Sequence, residues 1–232
     1  ITHVIRGQEF ISSTPNYLNL YEALQLERPK LATMPHILNE QGNKKLGKRD
    51  GAKDVLDYVK DGYLPDALVS FIATLGWNDG TKQELFTRDE LIEKFSLNRV
   101  GRSGAHFDTR RLNWVDGHFI REMSLDELSE ASNSYWPKEA ESSDDVYKKQ
   151  VLGLVQERLK YLAELPELTT FFFAEPEVNL DLISGNKQLK KLEHAELVDL
   201  LNSTKATLQE SNFNTEDIQS RLNALLEETG QK

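Results

Sequence analysis

The chain has 232 residues, 38% of them hydrophobic, no cysteine and a formal charge of −10. This length and apolar content suit one large core or two to three small ones. They exclude a disulfide-stapled miniprotein, a disordered tail, a thiolate metal site and a cysteine nucleophile. No apolar run approaches the roughly 20 residues of a membrane span, and Ile1 to Arg6 lack the basic flank of a signal peptide, so a soluble cytoplasmic chain is expected.

Ile1-Thr2-His3-Val4-Ile5-Arg6-Gly7 reads as a short buried strand, and its abrupt β-branched start suggests strand partners upstream of Ile1. Thr14 as N-cap and Pro15 at the first helical position open a helix carrying Leu18, Tyr21 and Leu24 on one face. Pro29 and Pro35 bracket what reads as an irregular link, before a second apolar run at His36-Ile37-Leu38 and a turn over Asn39 to Asn43. From Asp54 the period becomes helical, with one helix to Gly62 and another from Pro65 to Gly76. Capping boxes at Thr87/Glu90 and Ser124/Glu127 open two more. Ser142 to Asp145 supply an acidic start for a long helix, striped by Val151, Val155, Leu159 and Leu162, that ends near Pro166. Two further helices run over 194–211 and 215–229, with Gly230 as a stop. The expected fold is mainly α with a strand-containing N-terminal remnant. Candidate boundaries fall near residue 55 and within 131–143.

The charge is uneven. Residues 1–121 hold 17 Lys/Arg against 16 Asp/Glu, whereas residues 122–232 hold 11 against 22. Two local clusters stand out: Lys44, Lys45, Lys48, Arg49 and Lys53, and then Arg99, Arg102, Arg110, Arg111 and Arg121. A glycine-containing loop of compact cations can close over a polyphosphate, although most charge runs are simply solvated surface. The five histidines show no metal-ligand spacing, so no metal site is expected. Trp77, Trp114 and Trp136 read as packing residues. No Ser/His/Asp or paired-carboxylate arrangement for hydrolysis can be placed by spacing.

Lys45-Leu46-Gly47-Lys48-Arg49 resembles the KMSKS-type signature of class I aminoacyl-tRNA synthetases. Further stretches resemble the bacterial-type glutamyl-tRNA synthetase family in the expected order: Thr2 to Gly7 with Ser13-Thr14-Pro15, Leu38-Asn39-Glu40, Gly62 to Leu68, Leu75-Gly76-Trp77, Phe107-Asp108, Leu112-Asn113-Trp114, Phe119-Ile120-Arg121, and Gln156-Glu157-Arg158 with Leu162 to Leu165. The glycine at 47 stands where the signature usually has serine, which loosens the loop. His36-Ile37-Leu38-Asn39 lacks the glycine of the other class I signature, HIGH, which would precede Ile1.

The resemblance implies a glutamate-tRNA ligase using ATP with Mg2+ and tRNA(Glu), acting as a monomer. Residues 1–55 would end the catalytic domain, 56–135 would form a helical stem-contact domain, and 136–232 an incomplete anticodon-binding domain. Lys45 and Lys48 would be catalytic, with Lys48 and Arg49 on ATP. Arg6 would pair with the carboxylate of glutamate, unless it is a surface arginine at a strand end, and Glu9 and Phe10 would line that pocket, with a core aromatic the competing reading of Phe10. Arg158 would project from its helix flank to the anticodon or be a plain surface residue, and Arg110 and Arg111 would touch the RNA backbone. The piece alone is expected not to aminoacylate. The competing reading is a free-standing tRNA-binding helical module, which would have no use for a nucleotide loop.

Overall fold

A computed structural model of the chain describes residues 1–47, 53–177, 179–187 and 189–230. It is mainly α, with four short strands among the described residues, and divides into two compact units, Ile1–Glu175 and Pro176–Lys232.

In the first unit, β1 (His3–Gly7) and β2 (Lys30–Met34) pair in parallel, with His3 opposite Lys30 and Gly7 opposite Met34. Helix α1 (Thr14–Ala23) makes the crossover between them, with Pro15 in its first turn. The stretch between Pro29 and Pro35 is therefore a strand and not an irregular link. Both prolines lie just outside the ladder, where a missing N–H breaks no strand hydrogen bond. The first strand is also not buried: Ile5 and Leu31 are each 49% exposed, as a two-stranded ribbon cannot cover both of its faces. A second parallel pair joins β3 (Ile37–Leu38) to β4 (Ala105–His106), a strand too short to show in the sequence.

The helical body comprises α2 (Val55–Lys60), α3 (Pro65–Ala73), α4 (Arg88–Lys94), α5 (Thr109–Glu122), α6 (Leu125–Ala131), α7 (Asp145–Val155) and α8 (Leu165–Thr169). Both expected capping boxes form, at Thr87/Glu90 and Ser124/Glu127. Tyr63, Ala67, Leu68 and Phe71 pack against Leu112 and Val115 of α5, and Ile120 continues the helix into a second core with Leu128, Leu152 and Val155.

The long helix expected to run to Pro166 stops at Val155. A 3-10 turn, Gln156–Arg158, follows, and Leu159 is extended. The side-chain amide of Gln156 donates to the carbonyls of Ile120 and Met123, both at 2.9 Å, which ties the turn to the end of α5. The stripe survives the break, because Leu159 and Leu162 enter the same core as Leu152 and Val155, and Val151 is buried too.

Two close approaches set this junction. Gly62 has φ +84°, and a Cβ there would lie 2.8 Å from both the Ala163 amide nitrogen and the Leu162 Cβ. A Cβ on Gly117 would lie 3.0 Å from the Leu159 carbonyl oxygen. Beside them sits Asp116, fully buried. Its Oδ1 accepts the Leu64 N–H at 2.7 Å, taking an orphan donor at the start of α3, while Oδ2 has no partner. Burial pushes its carboxyl up to about 7.

The second unit holds α9 (Leu180–Gly185), α10 (His194–Gln209) and α11 (Thr215–Thr229), with α10 packed on α11 and Gly230 capping the last helix.

Gly62→Ala is expected to destabilise the chain by about 2 kcal/mol or more, because it adds left-handed strain to a clash with backbone. Gly153→Ala, in α7 with only ordinary contact to Leu125, should be neutral or stabilise by up to about 1 kcal/mol. Urea denaturation of both variants checks the contrast. Asp116 also makes stability depend on pH. Its folded carboxyl titrates above the unfolded one, so the folded form holds a proton that the unfolded form has lost. Its contribution is therefore fully present below about pH 4 and lost as the pH rises to about 7, by at most about 4 kcal/mol. Asp116→Asn should remove this loss, so that the variant melts above the parent at pH 8 and the gap narrows towards pH 4.

Candidate functional site

Two concave regions of the first unit collect the expected residues. In the first, Arg6 leaves the end of β1 and its guanidinium carbon lies 4.7 Å from the centre of the Phe10 ring. Both line a hollow of about 170 Å³ that also takes in Tyr17 and Tyr21 of α1 and a second arginine, Arg28. Two guanidinium groups beside aromatic faces suit a small carboxylate.

Glu9 does not share that hollow. Its carboxylate accepts from Lys45 Nζ at 2.8 Å and lies 3.6 Å from His36 Nδ1, and the hydrogen bond from Lys45 holds it below the usual carboxylate range. Lys45 is placed by the turn before it. The buried Asn39 accepts from the backbone N–H groups of Asn43 and Lys44 and donates to Gln41 and Asn43, and Lys45 then bridges back to Leu38. Lys48 and Arg49, the other signature cations, lie outside the described residues.

The second region is a hollow of about 510 Å³ between the outer face of α5 and the turn after α7. Leu112, Val115 and Asp116 turn the inner face of α5 into the core. Arg110, Trp114 and Arg121, four and seven residues apart, are left on the other side and line the hollow. Arg158 and Lys160 come from the opposite wall. That wall is brought close because position 117 carries no Cβ. The side chain of Arg110 is 83% exposed and only loosely paired, 3.5 Å from Asp108 and 3.8 Å from Glu40. Lys160 pairs with Glu164 at 3.0 Å. Arg158 ends the 3-10 turn instead of standing on a helix flank, and its exposed side chain lies in the hollow lining.

Other expected residues fall elsewhere. Arg111 turns inward: Nη2 donates to Thr74 Oγ1 at 3.2 Å, and Nε is buried with no partner. Arg102 lines a different hollow beside β2, so the arginines from 99 to 121 do not form one strip. Trp77 is buried and Trp136 packs edge-on to Phe173, as expected of packing residues. Trp114 is instead 47% exposed. Sequence reasoning also missed Asn113 and Lys160 in the hollow. The spacing of 110, 114 and 121 against the apolar 112 and 115 was the signal that could have found the face. Among the described residues, no group of three or more His, Asp or Glu could hold a metal ion, and no helix is long and apolar enough to cross a membrane.

Comparison with known proteins accounts for nearly the whole chain. Residues 1–114 match the family described as tRNA synthetases class I (E and Q), catalytic domain, and residues 124–232 match the anticodon binding domain family. A glutamate–tRNA ligase of Clostridioides difficile is 35% identical over 98% of this chain and 47% of its own length, and one of Chloroherpeton thalassium is 38% identical over 100% and 48%. A solved glutamate tRNA ligase from Elizabethkingia meningosepticum, in complex with its amino acid, superposes with a TM-score of 0.75 at 28% identity, covering 100% of this chain and 49% of that one. The chain thus spans about half the length of the curated relatives it matches. With catalytic-domain and anticodon-domain matches following one another along a single polypeptide, the chain belongs to the class I tRNA synthetases of the E and Q type.

Proposed function

We propose that the chain is part of a glutamate–tRNA ligase that activates glutamate with ATP and Mg2+ and passes the glutamyl group to tRNA(Glu). The observation that carries this reading is the continuous similarity to glutamate–tRNA ligases along the whole chain. By role, residues 1–55 supply the end of the catalytic domain, 56–135 the stem contact and 136–232 anticodon binding.

In this reading Arg6 holds a carboxylate of the substrate glutamate through its planar fork, and Phe10 gives that fork a flat neighbour. Lys45, Lys48 and Arg49 neutralise the charge that builds on the ATP phosphates as pyrophosphate leaves. Lys45 must exchange its Glu9 partner for phosphate to do so. Arg158 reads the anticodon, and Arg110 makes a backbone contact with the RNA. Arg111 can join only by giving up its bond to Thr74. The protein works as a cytoplasmic monomer with no structural metal.

Binding of the chain to a tRNA(Glu) transcript tests the reading. With about three cations on phosphates, raising salt from 50 to 200 mM should weaken binding roughly 20- to 50-fold. Arg158→Ala should cost about 10-fold against the native transcript and abolish its advantage over a transcript altered at the third anticodon base. Salt-independent binding, or none at low salt, sinks the RNA reading. Incubated with ATP, labelled glutamate and tRNA(Glu), the chain by itself should form no glutamyl-tRNA, because it spans about half of its relatives; a measurable product would show that it holds a complete site.

A further inference from the structure

Trp114 carries a meaning that the packing reading of tryptophan cannot absorb. It lies in the lining of the hollow with half its surface open, while the same helix buries Leu112, Val115 and Ile120 completely. Next to it, Asn113 is already oriented: its side-chain oxygen accepts the Tyr63 hydroxyl at 2.6 Å, which leaves its amide N–H groups as donors. Arg121 and Arg158 belong to the same lining. One flat apolar face, one fixed hydrogen-bond donor and nearby guanidinium groups match the three parts of a nucleotide: the ring face, the acceptors on the base edge, and the phosphate.

A base inside a duplex cannot use such a site, because both of its faces are covered by neighbouring bases. An unpaired nucleotide can, and stacking on an aromatic side chain is the commonest way proteins hold one. Building on the RNA reading above, we propose that Trp114 is a stacking platform for one unpaired nucleotide of the bound RNA. The Asn113 amide donates to the edge of that base, and Arg121 neutralises a phosphate flanking it. The contact adds affinity that depends on strand state, which phosphate contacts alone cannot supply.

The test uses the whole chain as wild type, Trp114→Phe and Trp114→Ala. Each is titrated with a tRNA(Glu) transcript, a short unstructured oligoribonucleotide and a blunt RNA duplex of the same length. Trp114→Ala should weaken the tRNA and the single strand about 10-fold and leave the duplex unchanged. Trp114→Phe, which keeps a ring face, should recover most of the loss, and thermal melts of all three proteins confirm that each is folded at the titration temperature. If Trp114→Ala binds tRNA as tightly as wild type, with the salt dependence intact, the stacking site is wrong while the RNA reading stands. Equal losses for Phe and Ala, or an equal loss on the duplex, also overturn it. Failure of the wild type to bind any of the three RNAs overturns both.

Discussion

The contact between the Asp116 carboxyl and the Leu64 N–H joins α3 to α5, the helix that forms one wall of the arginine-lined hollow. It fastens the start of α3 to the middle of α5 at 2.7 Å. On one side of α5 the missing Cβ of Gly117 admits the backbone of Leu159 and Lys160, while at Gly62 the left-handed turn lets Leu162 and Ala163 close in. A buried carboxylate with one oxygen unsatisfied is an expensive fastening. Its cost is offset by the apolar packing on both sides, from Tyr63, Leu68 and Phe71 to Leu159, Leu162 and Leu165. Once α5 is clamped in this way, its rotation is fixed, and with it the choice of which residues face solvent.

That rotation resolves an apparent conflict between the net charge and the RNA binding proposed above. A chain with net charge −10 should repel RNA, but repulsion between exposed charges fades over about one Debye length, roughly 8 Å in physiological salt. What matters is the local set. Arg110, Arg121 and Arg158 line one concave surface with Lys160, against Glu157 as the acid of the same lining. Glu164 partly neutralises Lys160, so in the proposed reading the three arginines carry most of the attraction.

Much of this was legible in the sequence because caps and periodicity are local. Thr87, Ser124 and Asp144 each start a helix where their side chains predict it. The stripe of Val151, Val155, Leu159 and Leu162 correctly announced burial but not backbone, since an extended residue can carry Leu159 into the core as well as a helix can. What breaks the helix is a bond from Gln156 to carbonyls more than 30 positions earlier, and no local pattern encodes it. The second strand was hidden for a similar reason: flanking prolines look like a loop until a partner strand is known. Arg110 and Arg111 are indistinguishable by composition, yet Asp108 as N-cap, with Leu112 and Val115 inward, sets a helical phase that sends one to solvent and the other towards Thr74. Trp114 was misread on the opposite ground, that large aromatics usually pack. Leu112 and Val115 lie close to it in sequence, but Arg110 and Arg121 share its helix face.

If Lys45 takes the ATP role proposed for it, its pair with Glu9 has to be weak enough to exchange. Both side chains are about half exposed, so the pair contributes little to stability, on the order of 0–1 kcal/mol. In the proposed reading a triphosphate, which offers several charges and many more acceptor oxygens than one carboxylate, displaces Glu9 at small cost. Until then Glu9 holds the ammonium, 2.8 Å away. A buried, fully satisfied salt bridge would hold Lys45 more firmly but would have to be broken at several kcal/mol before phosphate could bind. Exposure of the pair therefore favours the proposed exchange, while the turn that leads into Lys45 is held by the buried Asn39, whose bonds the exchange leaves intact.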